Sequence, residues 1–157
     1  MSPHELSLAL FRPPIVLVVE DRPRSRFSTS RLVGALGYEV RGARNGDQAL
    51  RLLRNHPGLF DLVLANILLP DMDGGEFANR VRLQEPGIRL AWIADFVPMG
   101  LPAKLIADQP QIPVVQKPFG FRELHRVLTP LLGPPRAAVP LSHAPKAARR
   151  RTRRIIR

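Results

Sequence analysis

The sequence predicts a doubly wound α/β fold: a five-stranded parallel sheet with helices on both faces. Three observations carry this. Short, uniformly apolar runs recur along the chain, among them Ile15–Val19 (IVLVV), Leu62–Ala65 (LVLA) and Leu90–Ala94 (LAWIA). Such runs belong to strands covered on both faces rather than one. Stretches of helical periodicity alternate with them, and the connections are short, so right-handed crossovers distribute the helices over both sides of the sheet.

The elements follow in order. Ile15–Val19 is the first strand and ends in two carboxylates, Glu20 and Asp21. A helix is predicted over 22–36, with Phe27, Leu32, Val33 and Leu36 on roughly one face. Pro23 suits its first turn, where a missing N–H is no loss, and Gly37 stops it. Tyr38–Ala43 reads as a second, shorter strand. Asn45 and Gly46 form a turn with capping potential, and Ala49, Leu50 and Leu53 stripe the helix that runs to His56-Pro57-Gly58.

Leu62–Ala65 is the third strand, with Asn66 at its carboxyl end and a turn from Pro70 to Gly74. Phe77, Ala78 and Val81 mark a third helix that ends at Pro86-Gly87, and Leu90–Ala94 is the fourth strand. The fourth helix is short, because Pro98, Gly100, Pro102 and Pro110 confine it to about two turns around Ala103–Asp108. Pro113–Gln116 is the fifth strand, and Phe121, Leu124, Leu128 and Leu131 fall on one face of the last helix.

Composition fixes the surroundings. The 157 residues divide into an N-terminal extension (1–12), one domain (13–133) and a Pro- and Arg-rich tail (134–157). The tail holds eight basic residues and no acid, so it carries +8 of the +11 net charge and leaves the rest at +3. Without cysteine there is no disulfide and no thiolate metal site. The start, MSPHELSLALFRPP, reads as neither a signal peptide nor a membrane span, which makes a cytoplasmic protein the expectation. His4, His56, His125 and His143 lack metal-ligand spacing and are expected at the surface, and Trp92 is expected in the core. No phosphate-cradling glycine motif is present.

The chemistry collects at strand ends. In an open parallel sheet the carboxyl edge is where ligands bind. Here it gathers Glu20 and Asp21 after the first strand, Asn66 after the third and Lys117 after the fifth. Two adjacent carboxylates suit a hard divalent cation that keeps several waters, and a nearby ammonium can pair with them or with a bound anion.

With VVED after the first strand, LPDMDG after the third and KPF after the fifth, the chain resembles the receiver domain of two-component response regulators over about 13–132. The resemblance implies a flavodoxin-like (βα)5 fold. It also implies a histidine kinase that phosphorylates an Asp at the end of the third strand, with Mg²⁺ beside it. Carried over by position, Glu20 and Asp21 are the acidic pair that holds the metal, and Lys117 is the basic position. The phosphoacceptor, four residues before Pro70, is Asn66. The Ser or Thr whose hydroxyl follows the phosphoryl group is here Ala94, and Val114 stands where many members carry an aromatic.

No register slip restores the missing groups. There is no Asp between Leu62 and Pro70, and no Ser or Thr between Leu90 and Lys104. An amide oxygen is a poor nucleophile and lacks the charge that helps to hold a metal. The pattern implies a natural pseudo-receiver that is not an enzyme and has no cofactor, or a weakly bound Mg²⁺ at Glu20 and Asp21.

The expected function is that of a stand-alone atypical receiver, independent of phosphorylation, that binds a sensor histidine kinase or another signalling protein. By analogy with the family, the fourth helix, fifth strand and fifth helix form its contact and homodimer surface. The alternative is a nucleic-acid-binding regulator with the receiver as dimerisation module, in which Arg149, Arg150, Arg151, Arg153 and Arg154 neutralise phosphates. A small flavin carrier fits less well, since EDRPRSR lacks a Ser/Thr-rich phosphate cradle. On that alternative, deleting 134–157 is expected to abolish salt-sensitive retention on nucleic acid. Unchanged retention by the truncated chain would reject it.

Overall fold

The computed structural model describes residues 2–3, 12–95 and 101–133. Its elements are β1 (Ile15–Val19), α1 (Pro23–Ala35), β2 (Glu39–Ala43), α2 (Gly46–Asn55) and β3 (Leu62–Asn66). They continue with α3 (Gly74–Gln84), β4 (Arg89–Ala94), α4 (Leu101–Asp108), β5 (Val114–Gln116) and α5 (Phe121–Leu132). All pairings are parallel, in the order β2-β1-β3-β4-β5. This is the flavodoxin-like doubly wound sheet that the sequence predicts.

The side-chain alternation of β1 and β3 builds two cores. Leu17, Val19, Val63 and Ala65 point to the side covered by α2, α3 and α4, where they meet Ala49, Leu53, Phe77, Val81 and Leu105. Val16, Val18, Leu62 and Leu64 point to the side covered by α1 and α5, against Val33, Leu36, Leu124 and Leu128. Both strands are buried along their whole length, which is why they read as unbroken apolar runs. Trp92 is fully buried in β4.

Register aligns the carboxyl ends. Val19 pairs with Ala65, Asn66 with Ile93, and Ala94 with Gln116. Residues 20, 66 and 117 thereby emerge along one edge.

Helical periodicity misassigned two aromatic residues. Phe27 is 62% exposed, because the buried face of α1 runs through Thr29 and Val33 to Leu36 at its C-cap, and Phe27 lies between a third of a turn and half a turn off it. Arg31 instead places its guanidinium 5.8 Å from the Phe27 ring centre. Phe121, at the start of α5, is also exposed and stacks on His125 with ring centres 6.3 Å apart. Helix α4 begins two residues before the predicted turns, with Pro102 in its first turn, where proline is tolerated.

The loop after β3 is held by caps. Asn45 Oδ1 accepts from Gln48 N at 2.8 Å, and Asp73 Oδ1 accepts from Glu76 N at 2.8 Å. Asp71 reaches across to a different helix, its carboxylate accepting from Gly46 N at 3.0 Å and Asp47 N at 2.8 Å at the start of α2. Met72 packs closely over Gly46: a Cβ there would stand 2.8 Å from Met72 Sδ, and the methionine side chain would have to move. Asp71→Ala is expected to destabilise the fold by about 1–2 kcal/mol through loss of these cap bonds. Chemical denaturation should show a lower midpoint at unchanged slope.

Candidate functional site

The site is built on one buried carboxylate. Glu20 follows β1 directly and is 0% exposed. Its Oε2 accepts from Asn66 Nδ2 at 2.9 Å, from Lys117 Nζ at 3.0 Å and from Ser25 Oγ at 3.4 Å. Its Oε1 accepts from the Arg22 backbone N–H at 3.3 Å. Lys117 also donates to Ser25 Oγ at 2.7 Å.

Each partner is placed by its own element. Asn66 ends β3 and is 3% exposed, and its Oδ1 accepts from Leu68 N at 2.9 Å. Lys117 follows β5, and its backbone N–H donates to Ala94 O at 2.7 Å, extending the β4–β5 pairing by one bond. Ser25 lies in the first turn of α1. Arg26, on the same helix, donates to Glu20 O at 2.7 Å, and its stem runs 3.3 Å from where a Cβ on Gly42 would stand. These contacts tie β1, α1 and β2 together at the site.

The structure brings Glu20, Asn66 and Lys117 into direct contact. Asp21, the other member of the acidic pair, is exposed. Ala94 is 1% exposed at the end of β4 and offers the site only its backbone carbonyl. Arg149, Arg150, Arg151, Arg153 and Arg154 lie outside the described residues.

Sequence reasoning missed two participants. Ser25 is one: a serine in a helix start carries no signal until Lys117 is seen beside it. The other is the Arg22–Asp95 ion pair at 3.6 Å, which links the loops after β1 and β4. A cavity of about 450 Å³ bounded by Arg24, Ser25, Ser28, Asp95, Lys117 and Phe119 opens beside the ammonium.

Comparison with known proteins agrees with this fold. The family model "Response regulator receiver domain" matches residues 16–129. The chain belongs to the response regulator receiver family. The response regulator receiver protein CpdR of Brucella abortus is 34% identical over 111 residues, which cover 70% of this chain and 88% of that protein. The sensor kinase CckA of the same organism is 27% identical over 117 residues, covering 74% of this chain but only 12% of the kinase. Among solved structures, the signal receiver domain of an HD domain-containing protein from Pseudomonas fluorescens Pf-5 is 30% identical with a TM-score of 0.67. That match covers 77% of this chain and 95% of that one.

This receiver therefore carries the fold of a two-component signalling domain, a family that commonly binds Mg²⁺ at its acidic site and interacts with histidine kinases. Among the described residues, no helix is long and apolar enough to cross a membrane.

Electrostatics favour an ionised Glu20. Burial raises its pKa, but the hydrogen bonds from Asn66 and Lys117 and the Lys117 charge outweigh burial and hold it below the ordinary 4.5. A carboxyl depressed in the folded state adds stability that is complete above its unfolded pKa of 4.5 and is lost as pH falls through the lower folded value. Glu20→Gln should remove this component of the acid limb of a stability–pH profile. Lys117→Met, which strands the buried carboxylate, should cost about 3–5 kcal/mol at neutral pH, read by urea denaturation.

Proposed function

We propose that this receiver signals without accepting a phosphoryl group and acts through protein–protein contact within two-component pathways. The observation that carries the reading is Asn66 at the end of β3, with its amide NH₂ directed at Glu20. Acyl phosphate formation needs a carboxylate oxygen to attack phosphorus, and neither amide atom supplies one. The amide oxygen is, in addition, occupied by Leu68 N–H. Ala94 supports the same reading, since it has no hydroxyl to follow a phosphoryl group. Lys117 is bound to Glu20 and Ser25 instead of standing free for a bound anion.

The output is contact with a sensor histidine kinase or another signalling protein. The face of α4, β5 and α5 is its surface for partners and for a second copy of the chain. The test is incubation with radiolabelled acetyl phosphate or a cognate kinase. No hydroxylamine-sensitive label is expected, and stoichiometric labelling would overturn the proposal.

A further inference from the structure

We infer that Lys117 and Asn66 together replace a bound divalent cation on Glu20, so that this receiver's site is closed and independent of metal. The inference concerns the metal and stands whether or not the chain accepts a phosphoryl group. It replaces the weak Mg²⁺ seat expected at Glu20 and Asp21.

A carboxylate excluded from water requires a compensating positive charge and filled lone pairs. In a receiver that holds Mg²⁺, the ion meets that requirement. Here the chain meets it from within. Oε2 is surrounded by Asn66 Nδ2, Lys117 Nζ and Ser25 Oγ, and Oε1 takes the Arg22 N–H. The ammonium is kept in place by Ser25, which receives one of its protons at 2.7 Å. Its side chain is 17% exposed.

The amide cannot be turned to serve as a metal ligand. Rotating Asn66 by half a turn would set its oxygen against Glu20 Oε2 and its NH₂ against Leu68 N–H, which loses both bonds and opposes like charges. Mg²⁺ demands near-octahedral oxygen ligands and surrenders its water reluctantly. To enter, it would have to displace an ammonium from a buried carboxylate and then sit beside that ammonium, with Asp21 as the remaining acid. Among the described residues, no group of three or more His, Asp and Glu side chains comes together as an alternative seat.

The experiment compares thermal unfolding of the full-length wild type and Asn66→Asp in MgCl₂ and in NaCl of matched ionic strength, alongside the electron paramagnetic resonance signal of free Mn²⁺. For the wild type, the melting temperature should differ by less than about 1 °C up to about 10 mM MgCl₂, and the free Mn²⁺ signal should be undiminished. Asn66→Asp sets two carboxylates face to face. Without metal it should melt several degrees lower, or fail to fold, and MgCl₂ should restore it. A wild-type melting temperature that climbs with MgCl₂, or wild-type protein that depletes free Mn²⁺ at millimolar metal, would overturn the inference. So would an Asn66→Asp chain as stable as wild type and indifferent to MgCl₂. If that variant folds under neither condition, the two wild-type measurements decide alone.

Discussion

The Glu20 carboxylate lies at the end of the inner strand β1, between β2 and β3, with no access to water, and three other segments of the chain converge to neutralise it. Asn66 arrives from β3, Lys117 from β5 and Ser25 from α1. A buried charge is tolerated only with a partner of opposite sign and donors for its lone pairs, so the ends of β1, β3 and β5 must keep their relative positions. The strand register supplies that alignment: Val19 faces Ala65, and Ala94 faces Gln116. The same contact therefore organises both the sheet edge and the site chemistry.

An Asp at position 66 would change that balance. Two carboxylates within hydrogen-bonding distance repel, and the usual relief is a cation or a shared proton. An amide at 66 turns repulsion into a hydrogen bond while changing a single atom group. The amide at 66 thus supplies a donor to Glu20 where a carboxylate would supply a second charge.

The fold was legible in the sequence because strands buried on both faces have no polar positions to blur the pattern, as in β1 and β3. Boundaries fell within a few residues. Face assignment on α1 failed at Phe27, although the spacing shows it: at 3.6 residues per turn Phe27 stands between a third of a turn and half a turn from the buried Thr29 and Val33, on the side that carries solvent. At the site, the strand-end residues could be named from motifs. Which of them touch could not, because the contact depends on side-chain reach. Ser25 and the Arg22–Asp95 pair come from loops and helix starts, where residue type carries little information about neighbours. The exposure of Asp21 was likewise invisible, since adjacent residues look equivalent in a sequence and do not share one environment.

The loop after β3 bears on how such chains are recognised at all. Asp71 closes the start of α2, Asp73 closes the start of α3, and Gly46 makes room for Met72. Each of these residues has an architectural task that does not depend on residue 66. The LPDMDG stretch thus starts two helices, whichever side chain stands at 66. Competence for phosphotransfer is an attribute of single atoms at the end of β3, and membership of a family is silent about them.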